Sequence, residues 1–82
     1  MGQFSYTITD EIGLHARPAG ALVKLVKEAD GAVILSKGEK SADASRLMAI
    51  MGLGIRKGDE IVVSSDDETL LGKLKQFFEE NL

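Results

Sequence analysis

Between Phe4 and Phe78 the spacing of apolar residues switches back and forth between two residues and three to four, and neither period persists for long. A period of two places alternate side chains on one face of a strand, whereas a period near 3.6 lays a stripe along one face of a helix. The chain must therefore fold as short strands and short helices that share a core. Phe4, Tyr6 and Ile8 alternate with Ser5 and Thr7, which predicts a first strand with one face buried. Asp10-Glu11-Ile12-Gly13 reads as a turn in which the glycine supplies a positive φ. Ala19, Leu22, Val23 and Val26 then form an apolar stripe on a helix over 16–29, with Lys24, Lys27 and Glu28 off the stripe.

The only proline, Pro18, falls in the first turn of that helix, where a backbone N–H has no intrahelical acceptor to lose. The helix should thus begin near residue 16 with His15 at its cap, be slightly weakened by Gly20, and end at Asp30-Gly31. Ala32 to Ser36, the turn Lys37-Gly38-Glu39 and Lys40 to Asp43 predict a hairpin. Arg46 to Gly52 holds Leu47, Met48, Ile50 and Met51, too crowded a set for one helical face, so a short helix there leaves some of them in solvent. After the turn Arg56-Lys57-Gly58-Asp59, Glu60 to Ser64 predicts a strand with Ile61 and Val63 facing one way. Ser65 and Glu68 have capping-box spacing and open a final helix whose apolar face is Leu70, Leu71, Leu74, Phe77 and Phe78.

The order β-α-β-β-α-β-α points to an α+β domain with helices covering one face of a mainly antiparallel sheet. Its 82 residues allow one domain, 1–82, with no linker or internal repeat, and 44% hydrophobic residues suffice for a small core. The absence of cysteine removes disulfides and thiolate zinc sites and fits a reducing cytoplasm. No apolar stretch is long enough to span a bilayer, and the opening MGQFSYTITDE lacks the regions of a secretory signal, so a cytoplasmic protein without membrane insertion is expected. The net charge of −3 is uneven: residues 1–58 carry eight Lys/Arg against six Asp/Glu, and residues 59–82 carry two against seven. That balance, with 5% aromatic residues, disfavours nucleic acid, which needs clustered cations and stacking platforms.

His15 is the only histidine, and its place at a helix N-terminus, followed by Arg17, sets it against unpaired N–H groups and the positive end of the helix dipole. That setting favours an anion on or attached to the imidazole. No second histidine, cysteine or carboxylate pair at ligand spacing surrounds it, so neither a metal nor another cofactor is expected. The serines stand far from it in sequence without a nucleophile elbow. Nucleophilic chemistry by the imidazole itself remains, with a phosphoryl group as the fitting electrophile.

Gly13-Leu14-His15-Ala16-Arg17-Pro18-Ala19 resembles the active-site signature of HPr, the histidine-containing phosphocarrier family of the bacterial phosphoenolpyruvate-dependent sugar phosphotransferase system. The likeness extends over the chain, because Met48 to Ile55 with Lys57-Gly58 is similar to the family's second helix and following turn. The resemblance implies an open-faced β-sandwich, a four-stranded antiparallel sheet with three helices on one face. It also implies a carrier that is a substrate of enzymes and lacks turnover of its own. Enzyme I would phosphorylate Nδ1 of His15, and enzyme IIA domains would take the group onward. Arg17 would stabilise the phosphoryl group, helped by the N–H groups of Ala16 and Arg17. Lys24, Lys27, Leu47, Met48 and Met51 are expected to form the partner surface of a monomer, with Met as an adaptable contact. Gly54 belongs to the second motif and also reads as a plain turn glycine.

Arg46 is the main departure. It occupies the position where many members carry a regulatory serine phosphorylated by a dedicated kinase, and adjacent Ser45 reads as a helix cap. The alternative to sugar uptake is a regulatory paralogue whose phosphorylation state is read by metabolic or transcriptional proteins. The sugar itself is not encoded here, since its choice belongs to enzyme II.

Overall fold

The computed structural model describes residues 2–82. Its elements are β1 (Gly2–Thr7), α1 (Ala16–Val26), β2 (Val33–Lys37), β3 (Lys40–Asp43), α2 (Leu47–Met51), β4 (Glu60–Ser65) and α3 (Glu68–Asn81). The four strands form one antiparallel sheet in the order β1-β4-β2-β3. Strand order was open in the sequence, because period-two patterning assigns faces and not neighbours. The C-terminal strand β4 lies between β1 and β2, and β1 and β3 are the edges.

Registers Phe4↔Val63, Leu35↔Val63 and Leu35↔Ala42 place the apolar set of every strand on one side. Val33, Leu35, Ile61 and Val63 are buried there beneath Ala19, Leu22 and Val26 of α1, Ile50 of α2, and Leu70, Leu71, Leu74 and Phe78 of α3. All three helices thus share one face of the sheet. The other face, with Ser5, Val62, Ser36 and Ser41 in cross-strand succession, is left open. Phe78 stacks on Tyr6 at 5.7 Å between ring centroids and meets Phe4 edge-on at 5.8 Å. Such pairs contribute about 0.5–1.5 kcal/mol beyond the burial of area, and here they fasten α3 to the edge strand β1.

Two caps differ from the sequence reading. Ser65 does not open the last helix: it stays in the ladder opposite Gly2 and Val33, and its Oγ accepts from the Asp67 N–H at 3.0 Å. The strand continues one residue further than its pattern suggests, so the cap passes to Asp67, whose carboxylate accepts from the Leu70 N–H. Its other oxygen accepts from the Asp30 N–H at 3.1 Å, tying the turn after α1 to the start of α3. Ser45 likewise is not the cap of α2. Arg46 holds that position, while the Ser45 hydroxyl and N–H both donate to Asp43 Oδ1. Helix α1 closes at Val26, short of Ala29, as Glu28 and Ala29 turn to i−3 acceptors.

The Asp67 carboxyl is held below its ordinary value of 3.8, first by the Leu70 N–H and then by that of Asp30. The unfolded chain therefore takes up a proton here before the folded one does. The contribution is complete above pH 3.8 and is lost as the pH falls through the lowered folded value. Asp67→Ala should lower the melting temperature at neutral pH by about 5 °C, as expected for loss of an N-cap. The gap between variant and natural protein should close as the pH falls through the acid range. A calorimetric series in pH checks both.

Candidate functional site

His15 sits immediately before α1 in an extended conformation, with φ −125° and ψ −177°, and its carbonyl accepts from the Ala19 N–H to close the first helical bond. Its imidazole makes no capping hydrogen bond and is half-buried. The first turn leaves backbone N–H groups without intrahelical acceptors. Those of Ala16 and Arg17 are in that turn, and Pro18 has none to offer. Arg17 is exposed, as are Lys24 further along α1 and Lys27 at its C-cap, and no acidic residue lies between Ala16 and Lys27.

A backbone junction holds the histidine in place. Gly13 adopts φ +81° and packs so tightly on the loop after α2 that a Cβ would stand 2.6 Å from the Ile55 oxygen and 2.7 Å from Arg56 Cα. The next residue, Leu14, donates its N–H to that same Ile55 oxygen at 3.1 Å and buries its side chain. The receiving loop is itself braced. Lys37 Nζ donates to the Gly54 carbonyl at 2.7 Å and pairs with Asp59 Oδ2 at 2.8 Å, and the Arg56 N–H donates to the same carboxylate. These contacts hold the Asp59 carboxyl below its usual range, with the Lys37 hydrogen bond the largest cause and the Arg56 N–H next. Gly54, at φ +64° with open space around its Cβ position, is the turn glycine of this loop.

His15 and Arg17 line one open cavity of about 340 Å³ together with Ile12, Pro18, Ala21 and Asn81. Ile12 and Asn81 were missed in the sequence. Ile12 had a signal, an aliphatic side chain inside a four-residue polar turn, whereas Asn81 reaches the cavity only through the packing of α3. A larger cavity of about 510 Å³ lies between the β2–β3 turn and the start of β4. Its lining pairs Lys37 with Asp59 and brings no imidazole. On α2, Met48 is 82% exposed, Leu47 39% and Met51 37%, while Ile50 is buried against the core. Among the described residues no cluster of three or more His, Cys, Asp or Glu could hold a metal, and no helix is long and apolar enough to cross a membrane.

Residues 3–80 match the family model described as PTS HPr component phosphorylation site. The phosphocarrier protein HPr of Mycoplasma capricolum is 36% identical over 66 residues, covering 80% of this chain and 74% of its own length. A solved histidine-containing phosphocarrier protein from Mycoplasma superposes with a TM-score of 0.89 at 30% identity, covering 96% of this chain and 93% of the other. Crh, a catabolite-repression protein of Bacillus subtilis solved as a domain-swapped, intertwined dimer, superposes with a TM-score of 0.74 at 28% identity, covering 100% and 98%.

The junction makes a stability prediction. Gly13→Ala combines an unfavourable φ with a backbone clash and should cost about 2 kcal/mol or more. Gly20→Ala, inside α1 with nothing within 4 Å of its Cβ position, should add about 0.5–1 kcal/mol. Urea unfolding of the two variants measures both signs.

Proposed function

The chain belongs to the HPr family, the phosphocarriers of the phosphoenolpyruvate-dependent sugar phosphotransferase system, and on that premise we propose that it accepts a phosphoryl group on Nδ1 of His15 from phosphorylated enzyme I and delivers it to enzyme IIA domains. The observation that carries this reading is the open cavity in which His15 stands beside Arg17 at the start of α1.

In the first transfer the unprotonated Nδ1 of His15 attacks phosphorus while the bond from phosphorus to the donor's leaving atom breaks, and the donor keeps that electron pair. The phosphoryl group passes whole, without water or an external reductant. Onward delivery reverses the roles, with His15 as leaving group. Charge on the equatorial oxygens is met by the Arg17 guanidinium through charge-assisted hydrogen bonds and by the N–H groups of Ala16 and Arg17 at the positive end of α1. These groups form an incomplete cradle on an open surface, which suits a bond that must form and break readily in both directions. The protein is then a substrate of two enzymes, without turnover of its own, working in the cytoplasm as a monomer that meets its partners in turn. Lys24 and Lys27 supply positive charge for the encounter, and Leu47, Met48 and Met51 supply apolar contact.

The likeness to Crh supports a second reading, in which the phosphorylation state is sensed by metabolic or transcriptional proteins. The fate of the group separates the two: only a carrier hands it to an enzyme IIA domain.

With phosphoenolpyruvate and enzyme I, mass spectrometry should find one acid-labile phosphate on the natural protein and none on a folded His15→Ala variant. Arg17→Ala should slow transfer about tenfold or more, the scale of one lost charge-assisted contact, with an unchanged melting temperature. Equal rates would remove Arg17 from the site.

Regulation by a serine kinase has no acceptor at residue 46. Arg46 is the N-cap of α2 and forms no capping bond with its side chain. Neighbouring Ser45 commits its hydroxyl to Asp43 at 2.7 Å, a bond that is the main cause of the lowered pKa of that carboxyl. A phosphate on Ser45 would give up this hydrogen bond and face the Asp43 carboxylate. HPr kinase with ATP should therefore leave the natural protein unmodified, and Arg46→Ser should gain a phosphate. Mass spectrometry after kinase treatment decides it, and a phosphate on any natural serine would refute the expectation.

A further inference from the structure

Ile12 is 69% exposed, yet the segment that carries it is firmly held. Asp10 Oδ2 accepts from the N–H groups of both Ile12 and Gly13 at 3.1 Å, and the Gly13 N–H also meets the Asp10 carbonyl. On one side of the turn, Thr9 and Asp10 donate to the Leu82 carbonyl. On the other, Gly13 and Leu14 are locked onto Ile55 and Arg56. The turn thus displays a large aliphatic side chain, out of the core, in the cavity that also contains His15 and Arg17.

We propose that Ile12 is a partner-specificity residue, an apolar anchor that seats in an apolar recess of the protein that donates the phosphoryl group to His15. The inference rests on the carrier reading above and adds the surface chemistry of the partner. Transfer of the phosphoryl group requires the donor's leaving atom, phosphorus and Nδ1 to be nearly in line at close approach. The donor must then enter the cavity lined by His15, Arg17, Ile12, Pro18, Ala21 and Asn81, and it desolvates those walls whatever else it touches. Removing water from Ile12, Pro18 and Ala21 is favourable only against apolar atoms. Along α1 and its C-cap, Arg17, Lys24 and Lys27 are exposed with no carboxylate between Ala16 and Lys27, while Glu11, next to Ile12, pairs with Lys57 at 3.4 Å. The complementary partner has an apolar recess beside its active site and carboxylates at the rim. A donor shaped for a polar side chain at this position would leave a buried polar group unpaired against Ile12, which is the physical source of discrimination.

The test compares the natural protein, Ile12→Ser and Ile12→Leu as phosphoryl acceptors from enzyme I with phosphoenolpyruvate, with initial rates taken over a range of carrier concentration. Ile12→Ser should raise KM about fivefold or more with kcat within about twofold, as for loss of a docking anchor, while Ile12→Leu restores KM. The melting temperature of Ile12→Ser should match that of the natural protein. An unchanged KM, with phosphohistidine formed normally, overturns the anchor and leaves the carrier reading intact. No phosphohistidine on the natural protein overturns both. A lowered melting temperature would assign Ile12 to the fold. Conversion of a natural dimer to a monomer by Ile12→Ser in sedimentation would assign it to self-contact. Either result overturns the proposal.

Discussion

The contact of the Gly13–Leu14 backbone with the Ile55–Arg56 backbone is the constraint on which the site depends. One hydrogen bond, from the Leu14 N–H to the Ile55 oxygen, and one missing Cβ, at Gly13, bring the entry of α1 against the loop between α2 and β4. His15 is the next residue. Its position is therefore set by main-chain atoms of two segments far apart in sequence, while its imidazole takes no part in holding them. A side chain can be fixed in position and still unencumbered when the placement is done by the main chain of its neighbours.

The bracing extends outward in layers. Asp59 fixes the receiving loop through Lys37 and the Arg56 N–H, and its own carbonyl accepts from the Ile8 N–H at the end of β1. The Leu82 carbonyl ties the end of α3 to Thr9 and Asp10. These contacts converge on the loop from Ile8 to Leu14 without closing over it, so the site stays accessible to another protein. A small domain has little core to spare, and here burial is spent on the helix–sheet interface while the site is held by hydrogen bonds and glycine geometry.

Charge and exposed apolar surface are divided between different elements. The cations of α1 lie on its exposed side, whereas the acidic excess of residues 59–82 falls largely on β4, α3 and their connection. Leu47, Met48 and Met51 remain outside the core because a helix of five residues has room for one deeply buried side chain, and Ile50 takes it. Exposed charge guides encounter over long range, and the apolar contacts act only at touching distance.

The sequence alone determined the elements, their order and the faces they bury, since period and turn chemistry are local properties. It also marked His15 and Arg17, because a lone histidine before Ala-Arg-Pro is visible without a structure, and Arg46 through the resemblance to a family that often carries a serine there. Tertiary structure decided what depends on neighbours distant along the chain. It inserted β4 between β1 and β2, a choice that alternating residues leave open. It moved two caps, to Asp67 and Arg46, because strand pairing retained Ser65 and Asp43 engaged Ser45. It also brought Ile12 and Asn81 to the wall beside His15. Residue spacing describes one segment at a time, whereas a site wall is made where segments meet, and their meeting is governed by long-range packing.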